Sequence, residues 1–225
     1  MNLTPRLLTI ANMVKYQTVA DIGTDHGKLP VYLIQNNICQ YAVASDVNEG
    51  PVNSCIKNIN RYGLSEKISA RLCDGLSGLE KNECETIVVA GMGGELISEI
   101  IDGSYDVARS AKELILQPMT GIDKLKIYLA KAGFEIVEEV LSSEKNKIYL
   151  IIKVVYNKPY EIKLKDVFLS DMILANTSYL LEKYLCVNIK RIRDKLKGCL
   201  ENKIRDEYVD LLKKMEIEYE SIRID

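Results

Sequence analysis

The sequence predicts an α/β chain: an open, mostly parallel sheet with helices on both faces, followed by a purely helical tail. Three observations carry this expectation. Short apolar runs alternate with helical spacing through the first two thirds of the 225 residues, as parallel strands joined by helical crossovers require. Two strand-like segments flank Lys145-Asn146 and read as an antiparallel hairpin at the sheet edge. From residue 161 onward, glycine-rich turns and strand patterns give way to apolar stripes at steps of three and four.

Each element has its own justification. Residues 18–23 form a short apolar run ending at glycine, the pattern of a buried parallel strand. Residues 28–37 show helical spacing through Leu29, Leu33 and Ile34, and 41–46 form a second strand ending on an acid. In 50–63, Pro51 opens a helix, Val52, Cys55, Ile56 and Ile59 share its face, and Gly63 stops it. A third strand is expected over 68–74, a fourth over 85–94, a helix over 95–102 and a fifth strand over 112–119. A helix over 121–134 and strands over 135–144 and 147–155 complete the α/β part. Five βα units closed by a hairpin match the Rossmann-like class I methyltransferase fold. A nicotinamide-binding domain would continue with parallel strands instead.

Residues 156–160 read as a linker, dividing a catalytic domain of residues 1–157 from a helical domain of 158–225. Val167, Leu174, Leu181 and Leu185 mark one helix face. A second stripe runs through Ile189, Ile192, Leu196, Leu200, Ile204, Tyr208, Leu211 and Met215. A break near Val187-Asn188 would fold the two stripes into an antiparallel, coiled-coil-like hairpin.

Composition narrows the function classes. Hydrophobic residues make up 47% and charged residues 28%, ordinary proportions for a globular protein. There is no apolar run of membrane-spanning length, and the N-terminus lacks the pattern of a cleaved secretory signal, so a cytoplasmic protein is expected. Cysteines at 39, 55, 73, 84, 186 and 199 form no close pair, arguing against a zinc site or disulfide framework and for reduced thiols filling core gaps. With one histidine, His26, a multi-histidine metal site is excluded, and no metal is expected. The net charge of −2 gives no global sign of nucleic-acid binding, so any such contact must come from a local patch.

The chemistry concentrates at 21–27, Asp-Ile-Gly-Thr-Asp-His-Gly. Gly23 lets the backbone turn beneath a ligand and Gly27 lets the next helix start close by, with Thr24 and Asp25 between them. A dinucleotide fingerprint needs three glycines; two are present, and Asp21 ahead of them suits an ammonium group better than a pyrophosphate. Asp46, with Val47 beside it, ends the second strand about twenty residues later, where an acid accepts from ribose hydroxyls. Asp74 ends the third strand and could accept from an adenine amino group, with Gly75 and Leu76 lining the base. Three acids at successive strand ends converge on the edge where open α/β sheets bind ligands.

Ala90, Gly91 and Met92 end the fourth strand on the cofactor side, with Gly93 and Gly94 toward an acceptor. Gln117 ends the fifth strand nearby. Arg6 precedes the first strand and could cover the cofactor edge. Lys190, Arg191, Arg193 and Lys197 form a basic stretch in the tail that could meet RNA or simply be solvated helix charge. His26 reads either as a turn residue or as a catalytic one.

The strings LTPRL, VADIGTDHGKLPVYLI, ASDVNEGP, DGLSGL, VVAGMGGELI and LILQPM occur in that order over residues 1–155. In this the chain resembles the bacterial tRNA (adenine-N1)-methyltransferases of the TrmK type. The resemblance implies S-adenosyl-L-methionine as cofactor, tRNA as substrate, methylation of N1 of the adenine at position 22, and a helical C-terminal hairpin. No membrane partner is expected, since no apolar run is long enough to span one, and a monomer is favoured. Two departures stand out: Gly27-Lys28 replaces the Ala-Tyr common after Asp-His, and Met119 stands where relatives have asparagine after Gln-Pro.

N1 of adenine already carries an in-plane lone pair, so orientation rather than a strong base is expected to matter most. Asp25, His26 and Gln117 are the candidates for steadying the exocyclic amine as positive charge develops. The competing expectations are a methyltransferase of the same fold acting on a small molecule or protein, a non-catalytic RNA-binding protein, and a nicotinamide-dependent oxidoreductase.

Overall fold

A computed structural model describes residues 2–198 and 201–224. Leu200 of the second apolar stripe and Cys199 lie outside the described residues. The chain opens with α1 (Pro5–Met13), a helix not anticipated from the sequence. Thr4 caps it by accepting from Leu7 N, and proline occupies its first turn, where a missing N–H costs nothing. Then follow β1 (Thr18–Ile22), α2 (Lys28–Gln35), β2 (Tyr41–Asp46), α3 (Glu49–Arg61), β3 (Ile68–Leu72) and β4 (Thr86–Gly93). Next come α4 (Gly94–Gly103), the short α5 (Tyr105–Ala108), β5 (Glu113–Thr120), α6 (Ile122–Lys131), β6 (Phe134–Glu144) and β7 (Lys147–Tyr156).

The seven strands form one sheet in the order β3-β2-β1-β4-β5-β7-β6. The first five pair in parallel, and β7 runs antiparallel between β5 and β6. The β6–β7 turn falls on Lys145 and Asn146, both with positive φ, as a tight hairpin whose twist matches its strands demands.

The strands are apolar on both sides because two separate cores use alternate residues. Ala20, Ile22, Val43, Ile87, Val89, Leu114 and Leu116 face α4, α5 and α6. Val19, Ala42, Ala44, Val88 and Ile115 face α1, α2 and α3. One expectation is corrected here: β3 is not followed by a helix. Its crossover to β4 carries Gly75 and Gly78, and its buried anchors Leu76, Leu79 and Cys84 are not spaced as one helical face. Arg71 pins this segment instead, donating to Gly78 O at 2.6 Å and to both carboxylate oxygens of Glu83.

The tail also departs in detail. The stripe from Val167 to Leu185 is interrupted, forming α7 (Leu164–Phe168), α8 (Asp171–Leu174) and the start of α9 (Ser178–Leu196). Ser170 causes one interruption by capping α8, accepting from Ile173 N. No break occurs at Val187-Asn188; α9 runs straight through. Asn188 is buried and its amide donates to Tyr184 O one turn back, so it does not compete with the backbone. The reversal instead lies between Leu196 and α10 (Asn202–Ile224). The two helices are antiparallel, joined by Arg193 to Glu216 at 2.7 Å and Lys195 to Tyr208 at 2.6 Å.

This tail does not hang from a free linker. Asn157 N donates to Gly133 O and Tyr160 N to Ala130 O. Phe168, Ile173, Leu181, Leu185, Ile192 and Met215 join the same core as α4 and α6. Lys126 of α6 crosses this junction fully buried, 2.6 Å from Glu139 of β6, and donates to the carbonyls of Asp166 and Val167.

Candidate active site

The C-terminal ends of β1, β2 and β4 and the loop after β3 enclose a cleft of about 260 Å³. This is the crevice that parallel α/β sheets leave where crossovers diverge to opposite faces. Asp46 and Val47 line one side, Asp74 and Gly75 another, and Ala90, Gly91 and Met92 a third, with Gly23 beneath. Ile22, Asn48, Cys73, Leu96 and Ile100 also line it and were not anticipated. Leu96 left a legible signal: it gives the start of α4 one more apolar residue than its buried face uses, and it is 47% exposed.

Asp46 is held by its own turn. Its Oδ1 accepts from Asn48 N at 2.8 Å and from Asn48 Nδ2 at 3.2 Å. Its second oxygen has no partner among the described residues and is available to a ligand. The Asp74 side chain is exposed, while its carbonyl accepts from Ser77. The cleft thus combines two carboxylates with the apolar side chains of Ile22, Met92 and Ile100, a surface suited to a ribose and a planar base.

Asp21 does not stand beside the other two acids. It lies behind the turn, 8% exposed, accepting from Thr24 Oγ1 at 2.7 Å. Burial raises its pKa to about 6; the Thr24 hydrogen bond opposes this, nearby Asp46 adds to it, and Arg6 lowers it slightly. Thr24 is itself buried, and Ser45 O accepts from both Gly23 N and Thr24 N at 2.8 Å. Gly23 has φ +74, and a Cβ there would strike the Met92 methyl, so glycine seats a cleft side chain as well as the turn.

Asp25 and His26 sit outside the cleft, exposed, with His26 Nε2 3.0 Å from Asp25 Oδ1. The carbonyl of His26 accepts from Asn58 Nδ2 at 2.8 Å, tethering the turn to α3. Gly27 begins α2 against Cys55 of α3, likewise away from the cleft.

Gln117 is fully buried, and its Oε1 accepts from Arg6 Nη1 at 2.5 Å. Its amide donates to Pro118 O at 3.0 Å, leaving it turned inward. The Arg6 guanidinium also lies 3.9 Å from Glu144 and 5.6 Å from the Tyr149 ring centroid. A Cβ at Gly91 would come 3.8 Å from Arg6 Nη1, so α1 delivers an arginine to the rim of the cleft. Gly91 lies where the register of β4 against β5 shifts, a bulge that lifts backbone toward the opening. Gly94 packs tightly on Gly121 O, and Gly93 lies beside Thr120, joining two turns rather than lining the cleft.

The tail cations separate. Lys190, Arg193 and Lys197 face a groove between α9 and α10 that also holds Asp194, Glu216 and Glu220. Arg193 pairs with Glu216 and Lys197 with Asp194, each at 2.7 Å. Arg191 faces a different groove, formed by α9, the end of β5 and the β6–β7 turn.

Comparison with known proteins agrees with this geometry. Residues 3–152 match the family model described as a methyltransferase domain. The tRNA (adenine(22)-N(1))-methyltransferase of Bacillus subtilis is 35% identical over 153 residues, 68% of this chain and 64% of that protein, so the match spans somewhat under two thirds of that relative's length. The structure of Streptococcus pneumoniae Sp1610 in complex with S-adenosyl-L-methionine superposes with a TM-score of 0.82 at 29% identity, covering 97% of this chain and all of that one. The Bacillus subtilis m1A22 tRNA methyltransferase TrmK superposes with a TM-score of 0.78 at 25% identity, over 98% of this chain and 99% of that one. The parallel sheet with its reversed edge strand, the acid-lined cleft and these matches have one reading: the chain belongs to the methyltransferase-domain family, in the company of the bacterial tRNA (adenine-N1)-methyltransferases.

Proposed function

We propose that this chain methylates N1 of an adenine in tRNA, at position 22, using S-adenosyl-L-methionine. The observation that carries the reading is the cleft at the strand ends, with a free carboxylate oxygen on Asp46 and the Asp74 carboxylate across from it. Support comes from the Sp1610 structure, which holds that cofactor on the same fold, and from the Bacillus subtilis relative named for that reaction.

The residues present fit the cofactor. Asp46 Oδ2 would accept from the ribose hydroxyls, Asp74 would accept from the adenine amino group, and Ile100 and Leu96 would offer the base an apolar surface. Asp21, held behind the turn by Thr24 and disfavoured as an anion by burial, would gain a counter-charge from an ammonium group bound over the turn. When bound, the cofactor supplies an electrophilic methyl group. The adenine lone pair needs no base, so the chain's work is orientation and exclusion of water. Gly91 and Met92 line the cleft beneath Arg6, and Gln117 acts through Arg6, which it fixes at the rim. Residues 1–157 hold the cofactor, and 158–225 contribute to tRNA affinity.

Mass spectrometry of nucleosides from unmodified tRNA, incubated with the protein and cofactor, tests this directly. One 1-methyladenosine per substrate tRNA is expected; an unmethylated tRNA pool would refute it.

A further inference from the structure

Resting on the tRNA reading, we propose that the groove between α9 and the β6–β7 turn docks the RNA strand flanking the target adenine, through Lys147, Lys183 and Arg191. The groove encloses about 580 Å³, and the three cations line it together with Asn146 and Asn188. Among the described residues, no aspartate or glutamate lines it. The cofactor cleft, the α9–α10 groove and the groove beneath the β7–α7 connection all include acids. In a chain of net charge −2, this is a locally basic surface that the overall balance conceals.

The cations are available. None of the three forms an ion pair among the described residues. Glu144 is opposite Lys147 in the hairpin register, but its carboxylate lies toward Arg6. Lys183 donates to the Tyr179 hydroxyl and lies over its ring. By contrast, Arg193 and Lys197 in the conspicuous basic run are already neutralised by neighbouring acids.

Position supplies the second argument. One wall is Pro118 and Met119, directly after Gln117, and Met119 is 43% exposed. Tyr149 lines the groove and also stands under Arg6, which overhangs Gly91 in the cofactor cleft. Arg6 and Gln117 therefore form the partition between the two openings. A strand placing one base at the cleft rim has its neighbouring phosphates beside this groove. An amide-bearing, partly apolar floor with three unpaired cations matches a nucleic-acid backbone with unstacked bases.

The test uses the full chain and an unmodified tRNA transcript, with affinity measured by fluorescence anisotropy across a salt series. The variant Lys147→Ala/Lys183→Ala/Arg191→Ala is compared with Lys190→Ala/Arg193→Ala/Lys197→Ala on the opposite face of α9. The groove variant is expected to bind at least about tenfold more weakly and to lower the log–log salt slope by about 2, at roughly 0.7 per lost contact. Its affinity for S-adenosyl-L-methionine by calorimetry stays unchanged, showing an intact fold. The opposite-face variant stays within about twofold of wild type. Unchanged affinity and slope in the groove variant, with wild type still producing 1-methyladenosine, would overturn the docking surface alone. Equal losses in both variants would overturn it too. Wild type that neither binds nor methylates tRNA would overturn the functional reading and this surface together.

Discussion

Asp21 shows how one side chain links folding to ligand binding. It keeps its proton to about pH 6 in the folded chain, against an ordinary value of 3.8. The folded state therefore holds that proton longer than the unfolded state does, and this group opposes folding increasingly as pH rises from about 4 to about 6. The full effect is on the order of 3 kcal/mol. Asp21→Asn is expected to gain stability over wild type across that window, read by urea titration of the ligand-free protein; parallel curves would contradict it. Cofactor affinity should behave in the opposite sense, falling in wild type below about pH 6 as the carboxylate is protonated, and staying flatter in the variant. Asp46→Ala removes a charged acceptor and should weaken cofactor binding by roughly 1.5–3 kcal/mol, about ten- to a hundredfold, by calorimetry. Unaltered affinity would remove Asp46 from the site.

At the scale of elements, the junction of α6, β6 and α7 depends on a buried charge pair. Lys126 and Glu139 are fully buried, and Ser170 donates to Glu139. Burial lowers the Lys126 pKa while Glu139 supports its charge. Lys126→Met would strand the carboxylate in the core and is expected to cost about 3–5 kcal/mol. Lys126→Met/Glu139→Leu should recover much of that loss, because no charge then remains buried. Thermal or urea unfolding of both variants decides this; equal stability of the two would show that the pair is not coupled. The α1 helix matters at the same scale, because its position over the hairpin brings Arg6 to Gln117.

For the whole molecule, the tail is an integral part of the core. Val167, Phe168, Ile173, Leu181 and Leu185 bury their side chains in the cluster that includes Leu125, Leu129 and Ile152. Each such side chain contributes roughly 1.5–3 kcal/mol. A chain ending near Tyr156 is therefore expected to unfold at a markedly lower temperature or to aggregate, measured by scanning calorimetry. A truncated protein with wild-type melting behaviour would show that residues 1–157 fold independently. For this reason, point variants in the α9 groove separate tRNA binding from stability better than truncation does.

The sequence by itself determined the succession of strand segments along the chain, because buried parallel strands are short apolar runs and their glycine stops are local. It also determined the chemistry at the strand ends: Asp46, Asp74, Gly91 and Met92 all reach one cleft. Local pattern could not tell which acid would be buried, so Asp21 looked equivalent to Asp46 until packing separated them. It misplaced the tail's reversal because Asn188 suggests a breaker, whereas its buried amide is satisfied one turn back. It treated Lys190, Arg191, Arg193 and Lys197 as one basic run, although a helix turns consecutive residues to different faces. Only the tertiary structure decided that Arg191 joins Lys147 and Lys183 in a groove lined by no acid among the described residues, while its neighbours meet carboxylates. Long-range packing sets the surroundings of a charge, and those surroundings decide whether it is free to meet a ligand.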